Sequence, residues 1–391
     1  VVRYAESDGF EYDTHRPAMW KYRDYVIRSF DRDKPYDQFL REQLAGDEMD
    51  PSSEEMRIAS GFHRLGAFRK NAGNQDAAYN RNEVLIEMSN VVGSAMMGLT
   101  MGCARCHDHK FDPIRQKDYY RLQAFFAATQ HKDVPLYTPE EEAAWKKRNG
   151  AVEAELAQLR KMLPAMEGAE RDSVARRIAD KELQQPAPLP VLNTVEDDPA
   201  KFVAVHVLAR GNSAAPRDEV APLPPGVLLA PGVEEWPERM EKPRLALANW
   251  IVDPSNPLTA RVMVNRIWQS HFGRGIVATP NDFGRMGSRP SHPELLDWLA
   301  NRFVEGGYRI KPIHRLILLS ETYRQAYVAS APDVAREEDP DDSLLWRFPR
   351  QRLDAEQIRD SILQVSGKLN PQRGGPSVIA PIEPELVSLI Y

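Results

Sequence analysis

The chain has 391 residues, 42% of them hydrophobic and 28% charged. That is a globular balance, and the length predicts two or three domains. Lysine and arginine number 51 against 57 acidic residues, a net charge of −6, which argues against a nucleic-acid partner. No apolar run approaches the ~20 residues that span a bilayer, so no transmembrane segment is expected.

In chain order, a first helical module is predicted over 1–137. Its opening loop, Tyr4 to Asp13, gathers carboxylates around Gly9 and is a candidate calcium loop, although the EF-hand order of ligands is absent. Trp20, Tyr22, Tyr25, Val26 and Phe30 recur on a helical face, and the stretch from Tyr36 to Leu44 repeats the pattern behind Pro35. Asn80 and Glu83 have capping-box spacing and predict a helix over 80–102. Its apolar face, from Val84 through Met88, Val92 and Met96 to Leu99, delivers the chain into Cys103. Another helix is predicted from Gln116 to Thr129.

Residues 138–185 turn strongly charged and predict a helical hairpin or short coiled-coil spacer, interrupted at Pro164 and Gly168. The segment 186–243 is proline-rich. Its alternation from Phe202 to Leu208 predicts a small β element around 200–230. From 244 to 391 helical patterns return, with Asp354 and Gln357 spaced as a further capping box. The fold class is therefore mainly α, in multi-helix modules carrying a hairpin insertion.

The only two cysteines, Cys103 and Cys106, stand with His107 in the spacing C-x-x-C-H. This is the attachment pattern of c-type haem. Two thiols three residues apart face the same way on a helical turn and can add to the two vinyl groups of one haem. The next residue, His107, is then the candidate proximal iron ligand. Met96, Met97, Met101, Phe111, Tyr119, Phe125 and Phe126 are candidate walls, and such an apolar setting would raise the potential. Met97, Met101, His63, His131 or a later histidine are candidates for the sixth ligand, whereas His109 lies too near His107 to reach the opposite face. The same cysteines also fit a disulfide. With His107 and His109 they offer a zinc ligand set, strained because all four fall within seven residues.

In the last module Arg261, Asn265 and Arg266 crowd one helical face near His271. With Asp282, His292 and His314 they form a candidate cleft for a carbohydrate-like or anionic ligand; the competing reading is a buried polar network joining helices. No G-x-S-x-G, Walker loop, Rossmann fingerprint or H-E-x-x-H occurs.

Several phrases resemble the planctomycete-type proteins in which a planctomycete cytochrome C domain precedes a planctomycete-specific domain, both also labelled domains of unknown function. In the first module these run over Tyr4–Phe10, Trp20–Val26, Asp37–Asp47 and Gly98–Pro113. In the second they run over Pro257–Trp268, His271–Gly275, Asp282–Gly284, His292–Leu299 and His314–Ser320. The resemblance implies an exported bacterial protein, often with another cytochrome c domain upstream. The chain then looks incomplete at both ends, with its signal peptide further upstream. The expected function is electron transfer through haem c in the periplasm or cell envelope, coupled to oxidation of an unknown substrate by the second module or a redox partner. Two alternatives stand beside it: a haem-free envelope binding protein with a Cys103–Cys106 disulfide, and a metal-dependent enzyme acting on carbohydrate-like substrates. Whether the protein is an enzyme stays open.

Overall fold

The computed structural model describes residues 4–9, 14–67, 77–233, 236–237, 240–328 and 333–377. The architecture is mainly α. Helices α1 (Trp20–Asp31) and α2 (Tyr36–Met49) bury Tyr22, Tyr25, Phe39, Leu40 and Leu44 along the faces their spacing marks. The Ser53 hydroxyl accepts the Met56 N–H to start α3 (Glu54–Ser60). At the crossing of α2 and α3 stands Gly46, where a Cβ would run into the Met56 carbonyl oxygen.

Helix α4 (Ala77–Val91) begins ahead of Asn80, so Asn80 and Glu83 lie inside its first turns rather than capping it. It also ends sooner than its apolar periodicity indicates. The backbone widens into a π turn over Val92–Met96 and then takes a left-handed step at Gly98 (φ +61°). Helix α5 (Gln116–Ala124) stops before Thr129, because Thr129–Pro135 is a strand, β1.

Two elements then leave the body and return to it. Helices α6 (Pro139–Met162) and α7 (Gly168–Glu182) form an antiparallel hairpin with its own small cluster, Leu156, Leu159, Val174 and Ile178. Ion pairs Arg160–Glu182 and Lys181–Glu155 flank that cluster. The chain re-enters through β2 (Val191–Asp197), antiparallel to β1 with Thr129 opposite Asp197 and Pro135 opposite Val191. The hairpin is thus inserted into one two-stranded ladder. A second antiparallel pair joins β3 (His206–Leu208) to β4 (Pro216–Glu219). The small β element is present, but only the end of the alternating stretch from Phe202 pairs, while Phe202 and Val203 stay exposed.

The remaining helices are α8 (Pro243–Ile251), α9 (Thr259–Phe272), α10 (Pro293–Glu305), α11 (Ile310–Leu318), α12 (Asp333–Glu338) and α13 (Ala355–Val365). A single hydrophobic core runs from Met19 to Ile317, so the first and last segments are built on shared packing. Tyr36 of α2 meets Phe303 of α10 with ring centroids 6.0 Å apart. Asp33 Oδ1, just after α1, accepts the Ile310 and Lys311 N–H groups at 2.9 and 3.0 Å and so caps α11. Among the described residues no helix is long and apolar enough to cross a membrane.

Candidate functional site

Cys103 lies in a 3₁₀ turn, Met101–Arg105, and Cys106 closes it. Cys103 thus sits inside the turn and Cys106 just past its end. Both are exposed and both are free, so the disulfide of the alternative reading is not formed here. Met101 and Ala104 point inward and anchor the turn in the core. The Arg105 carbonyl accepts the Tyr120 hydroxyl and the Gln116 amide, each at 2.9 Å. Gly211, at φ +73°, backs onto Cys106; a Cβ there would stand 3.0 Å from the sulfur.

The two histidines of the motif are wired differently. His107 is exposed, and its Nδ1 lies 2.6 Å from the Asp108 carbonyl oxygen. A carbonyl only accepts, so Nδ1 carries the hydrogen and Nε2 keeps a free lone pair. That is the usual arrangement of a metal-ligating imidazole. His109 Nδ1 instead accepts the Asp112 and Phe111 N–H groups at 2.9 and 3.3 Å. Its Nε2 therefore carries the hydrogen and donates to the Thr100 hydroxyl at 3.2 Å. Both nitrogens of His109 are occupied in closing the loop.

Most of the candidate walls around the motif are taken up by the core. Met96, Met97, Met101, Tyr119, Phe125 and Phe126 are buried and pack into the common core, because the core needs the volume they fill. Phe111 is 41% exposed, under the Lys110 ammonium at 5.0 Å. The candidate sixth ligands are also committed elsewhere. Met97 and Met101 belong to the core, His131 lies on β1 opposite Val195, and buried His63 donates from Nε2 to the Leu44 carbonyl at 3.0 Å. Beside Asp108 opens a cleft of about 780 Å³. It has mixed charge, with Asp112 and Asp118 facing Arg115, Lys117 and Arg121.

The candidate residues of the last module do not gather in one cleft. Arg261 bridges to Asp297 at 2.7 Å on the surface. Asn265 is buried and holds the Val277 backbone from both ends of its amide, at 2.8 and 3.0 Å. His271 and His314 do meet, Nε2 to Nδ1 at 2.7 Å, and burial lowers both from the usual imidazole range. His292 is half-buried and bonds Ser291. Arg266 donates to the Ser94 carbonyl at 3.0 Å and to the Ala95 carbonyl, covering the end of the π turn. Asp282 Oδ1 accepts the Gly284 N–H at 2.9 Å and shapes the next loop. That loop docks on the first module, Phe283 N–H to the Gly98 carbonyl at 2.8 Å and Arg285 N–H to Asp112 Oδ1 at 2.6 Å.

A second cluster carries no motif. Arg244, fully buried, forks onto the Asp47 carboxylate with two bonds of 2.7 Å and reaches Asp197 Oδ1 at 2.9 Å. Glu48 accepts the backbone N–H groups of Arg244 and Leu245 at 3.1 and 2.8 Å, capping α8. These contacts join α2, β2 and α8 at the floor of a cleft of about 550 Å³. In the opening loop, Asp8 pairs with Arg16 at 2.8 Å and Glu6 with Arg23 at 3.2 Å; residues 10–13 of the candidate calcium loop lie outside the described residues. Among the described residues no group of three or more His, Cys, Asp or Glu side chains stands together for a metal.

Fold and site define a mainly helical, two-module protein whose exposed C-x-x-C-H turn is gripped by its second module. Residues 1–131 match the family model PSCyt2, a protein of unknown function (DUF1549), and residues 243–387 match PSD1, a protein of unknown function (DUF1553). The chain thus carries a region similar to each of these two families of unknown function, in the order the resemblance implies. No curated protein and no solved structure matches it.

Proposed function

We propose that the protein carries one haem c, attached covalently through Cys103 and Cys106, and that it passes electrons to a redox partner or an upstream cytochrome domain. One observation carries the reading: a single exposed stretch presents two free thiols three residues apart, followed by a histidine whose Nε2 is left unengaged. Attachment adds each S–H across one vinyl C=C bond, sulfur to carbon and hydrogen to the neighbouring carbon, and needs no oxidant. His107 would hold the haem iron through Nε2, its unengaged nitrogen. A haem held there would carry one electron at a time. The surroundings are open and polar rather than an apolar crevice, which favours a lower potential than the buried setting. The PSCyt2 family name points to the same role. Thioether attachment is completed outside the cytoplasm, so we place the protein in the periplasm or cell envelope.

A second reading, a haem-free interaction protein of the envelope, is favoured by one feature. The turn is held by contacts within the protein, through Ala104, His109 and Asp112. One experiment decides between them. Protein expressed with an active c-type maturation system is expected to show a Soret band that stays with the denatured polypeptide and disappears in the Cys103→Ala, Cys106→Ala double variant. No band, beside a control cytochrome matured in the same cells, ends the haem reading and leaves the second.

A further inference from the structure

The segment that enters and leaves the C-x-x-C-H turn is gripped at both ends by the second module. At the entry, Arg266 holds the Ser94 and Ala95 carbonyls, and the Phe283 N–H reaches the Gly98 carbonyl at 2.8 Å. Gly98 is pressed so closely that a Cβ would stand 2.8 Å from the Phe283 ring. At the exit, Arg285 N–H bonds Asp112 Oδ1 at 2.6 Å, and a Cβ on Gly284 would fall 2.7 Å from the Asp112 carboxyl carbon. Inside the loop, the Asp112 N–H, the His109 ring and the Thr100 hydroxyl link exit to entry. A short 3₁₀ turn has poor intrinsic stability, so its shape depends on such outer contacts.

We infer that Arg266 and residues 283–285 are positioning residues for the haem-attachment turn, and that holding it in shape is a task of the second module. This rests on the reading of Cys103, Cys106 and His107 as the working residues. The test uses the full chain with Arg266→Gln, Gly284→Ala and the conservative Arg266→Lys, alongside Leu299→Ala, which opens a cavity in the core on α10.

Two readouts need no haem: amide hydrogen exchange over 98–112, and the ratio of the Cys103 and Cys106 alkylation rates. Arg266→Gln and Gly284→Ala are expected to speed exchange there by about tenfold or more and to change the ratio, with Arg266→Lys restoring part of it. Leu299→Ala is expected to lower global stability and leave the ratio alone. A ratio and local exchange unchanged in the clamp variants, or changed equally by Leu299→Ala, overturn the inference. Full covalent haem yield in the clamp variants also overturns it. If wild-type protein takes no haem while the clamp variants still shift the ratio, the haem reading fails and the clamp stands.

Discussion

His107 and His109 stand one residue apart, yet their surroundings give them opposite roles. His107 is exposed and spends only Nδ1, on a neighbouring carbonyl. His109 is engaged at both nitrogens and ties two backbone amides to the Thr100 hydroxyl. Replacing His107 by Gln is therefore expected to change stability by less than about 0.5 kcal/mol. His109→Ala leaves the Asp112 and Phe111 N–H groups without their acceptor and is expected to cost about 1–3 kcal/mol. Urea unfolding of the two variants measures the difference, and equal losses would contradict the assignment. The spacing C-x-x-C-H marks His107 from the sequence alone. Nothing in H-x-H marks His109 as the staple, because its partners are backbone amides and a hydroxyl that only the folded loop brings near.

At the scale of elements, helices with an apolar face or a cap were legible: α1, α2 and α13 lie where their periodicity or caps put them. The β1–β2 ladder was not. The β1 residues Thr-Gln-His-Lys-Asp-Val-Pro show little apolar alternation, and their partners lie beyond the whole α6–α7 hairpin. Pairing at that separation leaves no local pattern to read. The ladder also makes the hairpin separable, since the hairpin has its own cluster and its two ends meet at Pro135 and Val191. Replacing residues 136–190 by an Asn-Gly turn, which suits a two-residue hairpin link, is expected to leave the body folded. Near-ultraviolet circular dichroism and the Cys103 to Cys106 alkylation ratio should both be retained. Loss of a cooperative unfolding transition would show that the hairpin is needed for the core.

At the scale of the whole molecule, the two modules share a core, and buried charges cross between them. Arg244 bonds Asp47 and Asp197, partners far away in the chain, which is why no motif announced it. Arg266 fits the reading of a polar network joining helices, but its partner carbonyls at Ser94 and Ala95 could not be named, because polar residues on a helix face look alike whether they await a ligand or another module. Two titrations near Arg244 oppose each other. Burial first, then Arg244, holds His63 at about 4 instead of 6.5. The unfolded chain then takes up a proton that the fold refuses, so stability is lost as pH falls from 6.5 to 4. His131, also held low chiefly by burial, acts in the same direction. Burial pushes Glu48 up from 4.5 to about 8, with Asp197 adding to it against the pull of Arg244. Its contribution is complete below 4.5 and is lost as pH rises towards 8.

Urea midpoints are expected to fall on both sides. His63→Gln should make the acid limb shallower by an amount on the order of 3 kcal/mol, and Glu48→Gln should remove the fall above 6.5. An alkaline fall of undiminished size in Glu48→Gln would place that titration elsewhere.

The hairpin tip between α6 and α7 has one more consequence. A cut there separates the C-x-x-C-H turn from its clamp in covalent terms only. The β1–β2 ladder, the Arg244 fork and the grip on Gly98 and Asp112 all span the two pieces. The molecule is in that sense a natural split protein, whose halves carry complementary edges and can report each other's presence by reassembling the turn.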